Sequence, residues 1–282
     1  MYRKLGLALA FSPTCSALLA ETARLMKLYH SKLILIHVGI KDPEKEALLD
    51  SLLNQFKIKK EDITIVWKMG KTAKTIIKVC KKEKVDLLIA GALKHETLIN
   101  YYIGSTARKI LRKAPCSVLI FTEPSEKQRL LDEIIIDVED SPVKSQVIRS
   151  GLQQARLGKA KTVHFIRELK LYGLSLSVLS EYSMNEISEQ RKNLIYQEIR
   201  NIEKSIEDFD LEGLHTTFKI IAGKSGYELR KYAKKVNADL LVLGALKNRL
   251  SLIDRLFINN LEYIIQDIPC NLLIVKTPSK KE

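Results

Sequence analysis

The sequence predicts an α/β protein built from two repeated domains, each a five-stranded parallel sheet with helices on both faces. The block VDLLIAGALK that starts at Val85 returns as ADLLVLGALK from Ala238, so Asp86, Gly91 and Lys94 match Asp239, Gly244 and Lys247 at one offset of 153, shared by Gly70 and Gly223. Self-similarity at a fixed spacing marks a duplicated unit. Within each copy, apolar runs of strand length alternate with stretches of helical period, the pattern of βα units feeding a parallel sheet. The 282 residues suit two domains of about 140 each.

In chain order, the first copy offers strands at 5–10, 33–38, 63–67, 87–91 and 117–121. Their nearly continuous Leu, Ile and Val suit strands buried on both faces. Ser12 with Pro13 reads as an N-cap followed by the first helical position, since the serine oxygen accepts from an orphan amide and proline lacks one. Helix one then runs to about residue 29. Leu48, Leu49, Leu52, Leu53 and Phe56 make the apolar stripe of helix two, Ala73, Ile76, Ile77 and Cys80 that of helix three, and 105–113 supplies helix four. The linker falls at 122–128, where Pro124, Ser125 and Glu126 break the periodicity. The domains are thus expected at 1–124 and 129–282.

In the second copy, Ser141-Pro142 matches Ser12-Pro13 at an offset of 129, and Pro269-Cys270 before NLLIV matches Pro115-Cys116 before SVLIF. The extra length lies at about 167–213, where Ile187, Leu194, Ile195, Ile199, Ile202, Ile206 and Phe209 recur at helical spacing. This predicts a lengthened helix two that packs on its sheet.

No apolar run approaches the roughly 20 residues of a membrane-spanning helix. The N-terminal apolar stretch meets Ser12 and Pro13 too soon for a secretory signal, so a cytoplasmic location is expected. Cys15, Cys80, Cys116 and Cys270 lie far apart without metal-ligand spacing, which predicts reduced buried thiols and no metal. The net charge of +14 is uneven: residues 1–125 carry 22 Lys and Arg against 11 Asp and Glu, whereas 126–282 carry 25 against 22. The basic first half favours an anionic ligand.

The turn after the fourth strand of copy one reads Gly91-Ala-Leu-Lys94, then nine residues, then Gly104-Ser105-Thr106. A glycine ending a parallel strand, followed by a Gly-Ser-Thr helix start, offers bare amides, a positive dipole end and two hydroxyls to a phosphate. With the His37-Val38 pair ending strand two and Gly70 opening helix three, this resembles the universal stress protein family over nearly the whole chain, twice. The resemblance implies a flavodoxin-like, Rossmann-like domain that binds ATP or AMP. It implies Gly91, Lys94, Gly104, Ser105 and Thr106 at the phosphates, with Ser12, Thr14 and Val38 near the nucleoside. Two departures stand out. Lys94 replaces the usual second glycine, and Ala10 stands where the family's acidic residue meets the nucleoside. In copy two, Glu139 and Ser141 restore that end, but Phe257 and Ile258 replace Gly104 and Ser105, so this copy is expected to be a structural or dimerisation partner.

His37 and His164 read as equivalent strand-two ends and as structural histidines, with no catalytic set beside them. Tyr101 and Tyr102 before the glycine turn suit packing more than stacking on a base. The runs at 57–60 and 78–84 read as solvated helix faces or turns, and no nucleic-acid module is recognisable, so nucleic acid is disfavoured as a partner and its binding by the basic first half stands as a weaker alternative. The expectation is a non-enzymatic regulatory protein binding an adenine nucleotide or another anionic small molecule. It pairs as a homodimer or as an intramolecular domain pair through fifth strands, the alternative being an interaction module with no ligand.

Overall fold

The computed structural model describes residues 2–94, 101–102, 104–169, 184–223, 226–245 and 263–276. In the first copy the elements run β1 (Lys4–Ala8), α1 (Cys15–Tyr29), β2 (Lys32–Val38), α2 (Pro43–Gln55), β3 (Ile63–Lys68), α3 (Thr72–Glu83), β4 (Leu87–Gly91), β5 (Leu93–Lys94), β6 (Tyr101–Tyr102), α4 (Ser105–Lys113) and β7 (Ser117–Phe121). The second copy follows with β8 (Glu133–Asp137), α5 (Lys144–Gly158), β9 (Thr162–Leu169), α6 (Met184–Ile206), β10 (His215–Ala222), α7 (Tyr227–Lys235), β11 (Leu240–Ala245) and β12 (Asn271–Lys276). The α/β class and the repeated plan are those the sequence predicts.

The chain divides into two compact units, Met1–Leu130 with Ile265–Glu282, and Leu131–Ile264. In the first, parallel strands lie in the order β7-β4-β1-β2-β3. Right-handed crossovers then put α1 and α2 on one face and α3 and α4 on the other. Leu5, Leu7, Leu33, Leu35, Leu87 and Ile89 are sealed at the centre. Expectation and structure part at β3, the edge strand, where Thr64 and Ile65 are exposed. Leu48 also leaves the predicted stripe of α2: it is 48% exposed, while Leu49, Leu52 and Leu53 form the buried face.

The first helix begins later than its sequence signal suggests. Its N-cap is Thr14, whose side chain makes no capping bond, and Ser12 serves a preceding turn through its carbonyl, which accepts from the Cys15 amide at 2.9 Å. Helix α2 has the working cap, Asp42, which accepts from the Lys45 amide at 2.9 Å with Pro43 at the first helical position. The recurring Asp86 and Asp239 fasten each copy's first strand to the turn before its fourth. Asp86 accepts from the Arg3 and Lys4 amides at 3.0 and 2.9 Å, and Asp239 from the Glu133 amide at 2.9 Å.

The C-terminal strand β12 runs antiparallel along β7, with Leu272, Leu273 and Ile274 opposite Ile120, Leu119 and Val118. It is stitched at both ends. Thr122 donates to Asn271 Oδ1 through its amide at 3.0 Å and its hydroxyl at 3.2 Å; Lys276 Nζ donates to the carbonyls of Leu111 and Ala114 at 2.7 and 3.0 Å. The segment 122–128 is held against α1, where Arg24 Nη1 donates to the Glu126 carbonyl at 2.8 Å and Ser16 to the Glu126 carboxylate at 2.6 Å.

In the second unit, β10-β9-β8-β11 are parallel. The predicted lengthened helix is α6, which sets Ile202 and Ile206 in the core and leaves Ile195 exposed. All four cysteines are buried free thiols. Contact with Cys116, and then burial, hold the Cys80 thiol far above its usual range. Among the described residues, no helix is long and apolar enough to cross a membrane, and no group of His, Cys, Asp and Glu could hold a metal ion.

Candidate functional site

In the first unit the chain leaves β1 toward β2 on one side and arrives at β4 on the other. A switch point therefore lies between the carboxyl ends of β1 and β4, where open parallel sheets hold their ligands. The topology brings Ser12, Thr14, Val38, Gly91 and the start of α4 to this one edge.

Ser12 and Thr14 are exposed, and their hydroxyls meet at 3.2 Å. Val38 is the last residue of β2, opposite Lys68. Gly91 is still in strand register, opposite Phe121, and the Ala92 amide continues the ladder to the Phe121 carbonyl at 2.8 Å. The sharp turn expected at Gly91 is therefore absent; what the glycine supplies is space. Among the described residues, a β-carbon there would have Leu18 Cδ2 as its nearest neighbour, at 3.8 Å. Lys94 lies in β5, antiparallel to β6, so the first steps after Gly91 form a small hairpin arm.

Gly104 is the N-cap of α4, and Ser105 and Thr106 are exposed on its first turn. A helix leaves its leading amides without intrahelical acceptors, and no acidic side chain stands in this turn to take them. Arg108 and Lys109 follow directly, adding positive potential where the helix dipole already points it.

Beside the carboxyl end of β2 is an aromatic cluster that sequence reasoning missed. Phe11 and Trp67 stack with centroids 5.8 Å apart, and each meets His37 edge-on at 4.9 Å. His37 is buried, and its Nδ1 donates to the Leu9 carbonyl at 3.0 Å, so it is the satisfied structural histidine expected. A lone tryptophan at the end of the third predicted strand, with Phe11 one residue from Ser12, was the available signal.

Copy two fills the same places from within. Its strand-four glycine, Gly244, would set a β-carbon 2.8 Å from Val143, a buried side chain at the position matching Thr14. Glu168, which the strand register aligns with Val38, accepts from the Gly226 amide at 3.0 Å and the Leu229 amide at 3.1 Å, so α7 receives its anion from the chain itself. Arg167 pairs with Asp140 and, at 2.9 Å, with Glu198 of α6; Lys144 reaches Asp140 at 2.9 Å and Ser205 at 3.0 Å. Burial, then the charges of Glu139 and Glu168, push the Asp137 carboxyl well above the usual carboxylate range. Glu139 stands in the loop after β8 as expected, its amide turned onto Asp137 at 3.2 Å. Phe257 and Ile258 lie outside the described residues.

The two histidines are not equivalent. Register aligns His37 with Arg167, whereas His164 sits near the start of β9, at the opposite edge of its sheet. The two strands carry histidine at different heights, so matching them by motif alone misled. His164 Nε2 lies 2.7 Å from Glu133 Oε2, and its Nδ1 lies 2.6 Å from the Thr217 hydroxyl and 3.2 Å from that of Tyr232. Both ring nitrogens are committed, which is a structural role.

With this geometry in place, the comparisons agree on one class of protein. The universal stress protein family model matches residues 39–122 and again 132–276, more than half of the chain. The chain belongs to the universal stress protein family, as a tandem member. Three solved structures share its fold. A Pseudomonas aeruginosa UCBPP-PA14 protein provisionally named a universal stress protein is 21% identical, with a TM-score of 0.72 over 98% of this chain and 94% of that one. A functionally unknown protein from Pseudomonas aeruginosa PAO1 is likewise 21% identical at 0.72, over 98% and 93%. A universal stress protein from Archaeoglobus fulgidus DSM 4304 is 14% identical at 0.67, over 97% and 98%. No curated protein sequence matches this one.

Proposed function

We propose that this chain is a regulatory protein of the cytoplasmic stress response, without catalysis of its own, whose first copy binds ATP, AMP or another phosphate-bearing small anion. Gly91, Lys94, Gly104, Ser105 and Thr106 hold the phosphates, while Ser12, Thr14 and Val38 lie toward the nucleoside. One contrast carries this reading: among the described residues, the space at the strand-four glycine is open in copy one and filled by Val143 in copy two. Ala10 removes the acidic contact at the nucleoside end, so affinity rests on the phosphates, and ATP is expected to bind more tightly than AMP. With no magnesium carboxylate in the proposed set, any hydrolysis of ATP is slow.

Calorimetry with ATP and AMP tests the reading. Heat of binding is expected for the wild-type protein and its loss for Gly104→Phe, which puts a ring where the helix start meets the phosphates. No heat from the wild-type protein, or equal heat from the variant, overturns it.

A second reading, an interaction module with no ligand, draws on β12. The β7 edge through which two chains would pair is covered by the chain's own fifth strand. Native mass spectrometry separates the readings: a nucleotide carried on a single 32.1 kDa chain supports the first, a clean apo chain the second.

A further inference from the structure

The face of the first unit formed by α3 and α4 gathers charge that the sequence scatters. Lys71, Lys74, Lys78, Lys81, Lys82 and Lys84 are exposed in or beside α3, and Arg108, Lys109, Arg112 and Lys113 follow on α4. These ten basic residues share the two helical segments with one acid, Glu83. Lys71 to Lys82 fall within about a third of the helix circumference and run about 16 Å along it. The neighbouring α4 adds exposed Lys109, Arg112 and Lys113. Of the α3 lysines, only Lys82 has a carboxylate at ion-pair distance among the described residues, Glu83 at 3.9 Å. On the opposite face, by contrast, α1 and α2 carry Glu21, Glu44, Glu46 and Asp50 against Arg24, Lys27 and Lys45.

Helix stability does not account for this row. Lysines at a C-terminal turn are favourable, but Lys71 and Lys74 crowd the positive end of α3, where no acid offsets them. We propose that the α3–α4 face docks the phosphate backbone of a nucleic-acid duplex without reading its sequence. Point-charge lysines contact phosphates and carry little base specificity. Every fully exposed side chain on α3 and α4 is Lys, Arg, Ser or Thr. Helices that adsorb to membranes instead pair their basic face with apolar groups that enter the interface. The inference stands apart from the nucleotide reading, because it uses the helix flanks and not the sheet edge.

The test is fluorescence anisotropy with a labelled DNA duplex of about 30 base pairs, titrated from about 50 to about 200 mM salt. The expected result is binding that weakens linearly in the logarithm of salt. The variant Lys74→Gln/Lys78→Gln/Lys81→Gln, checked for folding by circular dichroism, should lose at least about tenfold in affinity and reduce the slope by about 2.7, the contribution of three phosphates. Lys109→Gln/Lys113→Gln is the second variant, with a loss in slope of about 1.8. Lys27→Gln/Lys41→Gln, away from this face, should leave both unchanged. Saturating ATP should not compete. Absence of binding at the lowest salt, equal loss in the Lys27/Lys41 control, or binding to phosphatidylserine vesicles but not to the duplex overturns the proposal.

Discussion

His37 shows how a polar ring is kept at a sheet edge. Its Nδ1 donates to the Leu9 carbonyl, and Phe11 and Trp67 each meet it edge-on, so the imidazole joins the loop after β1 to the end of β3. Truncation to alanine removes the donor from a buried carbonyl and leaves a void beside two aromatic rings. His37→Ala should cost about 2 to 3 kcal/mol, read by urea unfolding. A loss below about 0.5 kcal/mol, the usual range for surface positions, would show that the ring merely rests there. Reading His37 as structural was possible from sequence because no nucleophile or carboxylate accompanied it. Its partners were not legible, because Phe11 and Trp67 are joined to it by strand order and not by spacing.

At the level of the element, the sequence announces strands and helices more clearly than what caps them. All five predicted first-copy strands were placed within a residue or two at both ends, and α4 at 105–113, because the apolar runs are short and bounded. The Ser12-Pro13 signal misplaced the start of α1, since a local turn through the Ser12 carbonyl competes with the cap. Helix α7 shows the limit more sharply. Its cap, Glu168, comes from β9, nearly sixty residues earlier, and no local pattern could reveal it. Glu168 accepts from two amides at the positive end of α7, so Glu168→Gln, which keeps shape and removes charge, should cost about 1 to 2 kcal/mol. The loss should appear as faster amide exchange at Leu229 and along the first turn of α7. Unchanged exchange there would show that the carboxylate charge does not hold the helix start.

Over the whole molecule, the duplicated plan was legible because repeats survive in sequence, and pairing through fifth strands was among the expectations. Strand β12 repeats the SVLIF pattern of β7, but sequence left open whether its partner is the β7 of its own chain or of a second one; the structure shows β12 lying along the β7 of its own chain. Its terminal residue, Lys276, makes that placement measurable. The side chain is buried, and its ammonium donates to the carbonyls that end α4. Desolvation pulls its pKa from 10.5 down to about 8, with the nearby Cys116 opposing the shift. Between pH 8 and 10.5 the unfolded chain therefore holds a proton at Lys276 that the folded protein has released. Folding stability from this group must rise with pH across that window and be flat below it, by on the order of 3 kcal/mol in total. The comparison is with Lys276→Met, which keeps the length and apolar character of the side chain but cannot titrate. Urea unfolding of both proteins at a series of pH values should give a difference that grows in favour of the wild-type protein from about pH 8 upward. Groups common to both proteins cancel in that difference. If the two stability curves run parallel across the window, Lys276 is solvated, and the C-terminal strand is not locked onto the first unit in the way its hydrogen bonds describe.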